Sequence, residues 1–156
     1  MNLIIDKKKL RIICFALFIV YIILIVYFLI FSDMFGRGSG YNERRYNLRP
    51  FQEILRFIKY GDQLDGQSVF LNIYGNIIAF VPFGMLIRWA RNKRTTLLQA
   101  TIYSFVFTLA IEIVQYITKL GVFDVDDIIL NTFGGVTGYL IYYIMSVLYR
   151  RYHAEK

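Results

Sequence analysis

Asn72 and Asn76, Glu112 and Gln115, and Asp127 and Asn131 stand three or four residues apart inside largely apolar stretches of a 156-residue chain. On helices, that spacing places each pair on one face. Amides and carboxylates so arranged can hydrogen-bond a polar ligand. Glu112 or Asp127 could also act as general acid or base if a reacting proton came within about 3 Å. Asp124, Asp126 and Asp127 form a D-x-D-D cluster just before Asn131. Such a cluster can cap a helix N-terminus, hold a hard divalent cation through oxygen ligands, or meet the amines of a cationic peptide. Capping is the expectation adopted; no metal site and no cofactor are assigned.

Other chemistry is limited by what the chain lacks. Cys14 is the only cysteine, so no disulfide or thiolate metal site can form within one chain. His153 is the only histidine and lies in a basic tail, which excludes a Ser-His-Asp triad or a multi-histidine zinc site within one chain.

The elements that must position these residues are set by hydropathy. Hydrophobic residues make up 57% of the chain and the mean hydropathy is +0.48, more than a domain this small can bury in water. They fall into blocks at 10–31, 69–87, 97–118 and 128–149, each about long enough to cross a hydrocarbon core roughly 30 Å thick. The expected fold is an all-α integral membrane bundle of four transmembrane helices in a single domain. Lys7, Lys8 and Lys9 precede the first block as in a signal sequence, but the apolar run is long and no small-x-small cleavage site follows. A retained first helix is expected.

Charge position gives orientation. Lys7, Lys8, Lys9, Arg11, Arg88, Arg91, Lys93, Arg94, Arg150, Arg151 and Lys156 flank alternate helix ends with only Asp6 and Glu155 as acidic company. Those ends, and both termini, are expected in the cytoplasm. Arg37, Arg44, Arg45, Arg49, Arg56, Lys59 and Lys119 on the other side are balanced by acids. The net charge of +7 is therefore topological, and no nucleic-acid partner is expected.

The external loop, 32–68, begins with the glycine-rich linker Gly36-Arg-Gly-Ser-Gly40. Pro50 can open a short helix with Phe51, Ile54, Leu55 and Ile58 on one face and Glu53, Arg56 and Lys59 away from it. This helix could lie along the outer leaflet or pack on the other helices. Pro82 predicts a bend in the second span. Gly134 and Gly138 have small-xxx-small spacing, which serves close packing within the bundle or oligomerisation. The polar pairs cluster near the external ends of their spans. An isolated carboxylate at Glu112 would be expensive there, so it should face inward toward Gln115, Asn72, Asn76, Asn131, Arg49 or Arg56. The three pairs are expected to converge on one outward-facing pocket.

The ordered motifs resemble the VanZ-like family of membrane proteins. Asn47-Leu-Arg-Pro50-Phe51 is similar to its N-x-x-P-F element, and Asn72-Ile-Tyr-Gly-Asn76 through Pro82-Phe83-Gly84 to its most recognisable signature. Glu112-Ile-Val-Gln115 resembles its E-x-x-Q, and Phe123-Asp124-Val-Asp126-Asp127 through Asn131 and Gly134-Gly135 its F-D-x-D-D stretch. The resemblance implies a multi-pass protein of the bacterial cytoplasmic membrane, linked to resistance to teicoplanin, a lipoglycopeptide antibiotic. The expected role is a binding protein whose pocket takes a lipid-anchored ligand, either the acylated antibiotic or a lipid-linked wall precursor. Asn47, Arg49, Asn72, Asn76, Glu112, Gln115, Asp124, Asp126, Asp127 and Asn131 would form that site. An enzyme acting on an envelope lipid, with Glu112 or Asp127 as acid or base, and an assembly partner of another membrane protein stay open as alternatives.

Overall fold

The computed structural model describes residues 7–31, 45–63, 66, 70–91 and 95–154. The linker at 36–40, the first residue of the block at 69–87, and Lys156 lie outside the described residues. The chain is mostly helical. In order it runs α1 (Lys7–Phe31), β1 (Arg45–Asn47), α2 (Gln52–Tyr60), a π-helical turn (Leu71–Gly75), α3 (Asn76–Arg91), α4 (Leu97–Thr118), β2 (Val122–Asp124) and α5 (Val125–Ala154).

Among the described residues, three helices are long and apolar enough to cross a membrane: α1, over Ile12–Leu29 at a mean hydropathy of 3.2, α4 at 1.8 and α5 at 1.4. The apolar helix Leu71–Ile87 is shorter. Its first turn is widened where Asn72 and Gly75 interrupt the apolar sequence, and the Asn76 side chain donates to the Asn72 carbonyl at 2.9 Å. The helix then continues through Pro82. One residue beyond the carbonyl that proline leaves without its usual donor, the Tyr21 hydroxyl donates to the Ala79 carbonyl at 2.6 Å, tying α1 to α3.

The core joins α1, α3 and α4 through Ile25, Leu29, Phe80, Phe83, Ile87 and Ile111. Phe83 stacks on Phe107 at 4.9 Å and 10°, with Phe80 5.6 Å from Phe107 and Phe18 5.8 Å from Phe83. Each such pair adds about 0.5–1.5 kcal/mol beyond the area buried. Much of α1 remains exposed, including Ile12, Phe15, Leu17, Ile23 and Leu24, as expected of a helix whose outer face meets lipid.

Helix α3 packs most extensively on α5, and glycines permit the approach. A Cβ on Gly134 would collide with the Ile77 carbonyl, one on Gly138 with the Val81 carbonyl, and one on Gly84 with the Gly135 carbonyl. Within the chain, the small-xxx-small face thus meets α3.

Strands β1 and β2 pair in parallel, Arg45 with Val122, Tyr46 with Phe123 and Asn47 with Asp124. Tyr116 of α4 braces both, its ring 6.5 Å from those of Tyr46 and Phe123. This pairing fixes the loop segment preceding α2 against the start of α5.

Candidate functional site

The three aspartates of the D-x-D-D cluster point to three different structures. Asp124 caps α5: its Oδ1 accepts from the Asp126 amide at 2.8 Å, and both carboxylate oxygens receive Asn47 Nδ2 at 3.3 Å. Asn47 in turn accepts from the Arg49 amide at 3.1 Å, which turns the chain toward α2. Asp127 accepts from Asn76 Nδ2 at 2.6 Å, linking α5 to α3.

Of the cluster expected to cap α5, Asp124 does so, whereas Asp127 reaches α3 and Asp126 reaches α2. The buried Asp126 carboxylate caps α2: Oδ1 accepts from the Phe51 amide, and Oδ2 from the amides of Glu53 at 2.8 Å and Ile54 at 3.2 Å. Helix α2 has no side-chain cap of its own, and Phe51 precedes it in the left-handed conformation at φ 64°. Pro50 therefore lies before the helix rather than opening it. A carboxylate from α5 satisfies the donors that every helix N-terminus leaves unpaired. Three acids thus committed form no metal cluster among the described residues.

The remaining polar residues lie deeper. Glu112 accepts from the Asp124 amide at 2.9 Å, holding the turn into α5. Gln115 donates to the Leu29 carbonyl of α1 at 2.8 Å, and Asn131 donates to Thr108 Oγ1 at 2.8 Å. Asn76, Glu112, Gln115 and Asn131 are each no more than 2% exposed. Arg56 pairs with Glu53 on its own helix at 2.8 Å, instead of folding down onto Glu112.

Above this buried layer is a cavity of about 710 Å³, within the range of small-molecule sites. Asn47, Arg49, Asn72, Asp124, Asp126 and Asp127 line it; Asn76, Glu112, Gln115 and Asn131 do not. The ten residues chosen from sequence therefore divide into a cavity wall and a bundle tie. Hydropathy and spacing missed Arg45, Glu53, Ile54, Phe57, Ile73 and Gly121, which also line the cavity. The apolar periodicity of α2 marks a face that, apart from Ile54, is turned away from the cavity. Phe57 is buried and Ile54 faces the cavity, whereas Phe51, Leu55 and Ile58 are exposed. Burial pushes the Glu53 carboxyl above the usual range; Arg56 opposes the rise, and Asp124 and Asp126 add to it.

The sequence profile of the VanZ/LLP1 family matches residues 18–146, a span that includes the β pair, α2, the π turn and the aspartate cluster. Protein VanZ of Enterococcus faecium is 28% identical over 129 residues, covering 81% of this chain and 71% of its own length. No solved structure matches. With the family profile extending over most of the sequence, the chain belongs to the VanZ/LLP1 family.

Proposed function

We propose that this VanZ-family membrane protein lowers susceptibility to teicoplanin-type lipoglycopeptides by binding a lipid-anchored ligand in the cavity beneath α2. In this reading α1, the continuous helical segment from Leu71 to Arg91, α4 and α5 all cross the bacterial cytoplasmic membrane, with both termini inside. At about 1.5 Å per residue, that second segment reaches roughly 30 Å. The basic flanks of alternate helix ends support the orientation. Helix α2 lies in the outer interface: Asp126 ties it to the first turn of α5, and Phe51, Leu55 and Ile58 turn an exposed apolar face away from the cavity.

The observation carrying the proposal is the cavity itself. It brings together polar residues from the loop, the π turn and α5, beside the exposed apolar residues Leu48, Phe51, Leu55 and Ile58. A ligand anchored in lipid could present its polar part there without leaving the bilayer. The test is teicoplanin susceptibility in a sensitive strain carrying either the wild-type chain or Ile54→Trp, which projects a larger side chain into the cavity, with membrane insertion checked by immunoblot. Protection by the wild type and its loss in Ile54→Trp is the expected result. Equal protection by both would remove the cavity from the function, and none from the wild type would remove the resistance assignment.

A further inference from the structure

The charges around the cavity are arranged in two tiers. The acidic groups are buried or half-buried and engaged with protein: Asp126 with three α2 amides, Asp127 with Asn76, Asp124 with Asn47 and its own helix, and Glu53 with Arg56. The basic groups are outside them. Arg45 and Arg49 are exposed on the segment entering α2, and Arg56 is exposed on α2 itself. The cavity thus has a floor of oxygen acceptors and a rim of guanidinium donors. Along the same segment, Leu48, Phe51, Leu55 and Ile58 are 52–71% exposed and form an apolar border.

A ligand matching all three features needs a negative group at the rim, hydroxyl or ammonium donors reaching the floor, and a hydrocarbon part along the border. Guanidinium forks suit phosphate oxygens geometrically, since they donate two parallel hydrogen bonds. We propose that the cavity takes the headgroup of an outer-leaflet anionic phospholipid, with Arg45 and Arg49 on the phosphate and the donor-bearing end of the headgroup directed toward Asp124 and Asp127. This rests on the preceding reading that the cavity binds a lipid-anchored ligand, and it specifies the chemistry.

Full-length protein in a phosphate-free maltoside detergent, titrated with phosphatidylglycerol or with diacylglycerol of the same chains and read by native mass spectrometry, tests the assignment. Phosphatidylglycerol should bind at least about tenfold more tightly than diacylglycerol. The exposed double substitution Arg45→Gln with Arg49→Gln should remove that advantage and leave diacylglycerol binding unchanged, with an unaltered thermal melt confirming the fold. Glycerol 3-phosphate should fail to compete at millimolar concentration; effective competition would point to a soluble phosphate and overturn the lipid assignment. If both lipids bind equally and Ile54→Trp weakens both, the phosphate assignment fails while a lipid-binding cavity survives. If neither lipid binds, or Ile54→Trp has no effect on binding, the headgroup assignment fails, and the susceptibility assay alone decides the preceding reading.

Discussion

Replacing Asp126 by alanine should release α2 while leaving the bundle folded. The carboxylate holds the Phe51, Glu53 and Ile54 amides, and it is 1% exposed. A helix cap contributes about 1 kcal/mol, and hydrogen bonds to a charged acceptor about 1.5–3 kcal/mol each. The sum overstates the loss, because the amides released at the cavity edge can bond water. We expect about 2–4 kcal/mol of weaker α2 docking, with Asp126→Asn at roughly half that because one acceptor oxygen remains. Hydrogen exchange of the full-length protein in nanodiscs reads this directly. At a factor of ten per about 1.4 kcal/mol, the α2 amides should exchange roughly thirty to several hundred times faster in Asp126→Ala. Amides in the middle of α3, α4 and α5 should be unchanged. Exchange of α2 within about threefold of wild type would refute the interhelix cap, and uniform acceleration everywhere would show that Asp126 supports the whole fold instead.

The glycine contact predicts that Gly138→Leu, whose side chain would enter the Val81 backbone, lowers the thermal melting temperature and the yield of folded protein, with a cost above the about 1–3 kcal/mol typical of overpacking; an unchanged melt would contradict the α3–α5 approach. A double-mutant cycle of Asn131→Ala and Thr108→Ala, measured by reversible unfolding in bicelles, should give a coupling of about 0.6 kcal/mol and no more than roughly 1.7 kcal/mol, the range for interhelical bonds in membranes. Zero coupling would show that the bond contributes no stability. Glu53 supplies a pH test: its raised pKa means the folded state disfavours the charged form, so stability is lost as pH rises through the folded pKa. Glu53→Gln should therefore gain stability relative to wild type at neutral pH and lose that advantage as pH falls through the carboxylate range. A constant difference across pH would contradict it.

The long apolar helices were legible, three of them among the described residues long enough to span, because transfer of a long apolar run out of water overrides finer preferences. The expected 97–118 block coincides with α4, while the others differ by a few residues at their ends. Pairwise spacing also carried real information: Asn76 faces inward to Asp127, and Glu112 to the backbone at Asp124. What spacing could not give is which member of a pair reaches the cavity. Asn76 and Asn131 share helix faces with the cavity-lining Asn72 and Asp127 but lie outside its wall, Asn131 bonded to Thr108, and neither Glu112 nor Gln115 lines it. Nor could a local rule foresee Asp126. An aspartate in the first turn of a helix reads as that helix's cap, and only the fold brings the amides of α2, more than seventy residues earlier, onto its oxygens. The three-residue strands were invisible for a similar reason, since so short a pair depends on the bracing ring of Tyr116 more than on its own propensity.

The proposed function requires a cavity that opens on the outer side of the membrane. In a Cys14→Ser background, Arg49→Cys at the rim and Arg150→Cys at the far end of α5 can be exposed to a membrane-impermeant maleimide in intact cells and after lysis. The account expects position 49 to label in intact cells and position 150 to label only after lysis. The opposite pattern would put the cavity in the cytoplasm and contradict the proposed function.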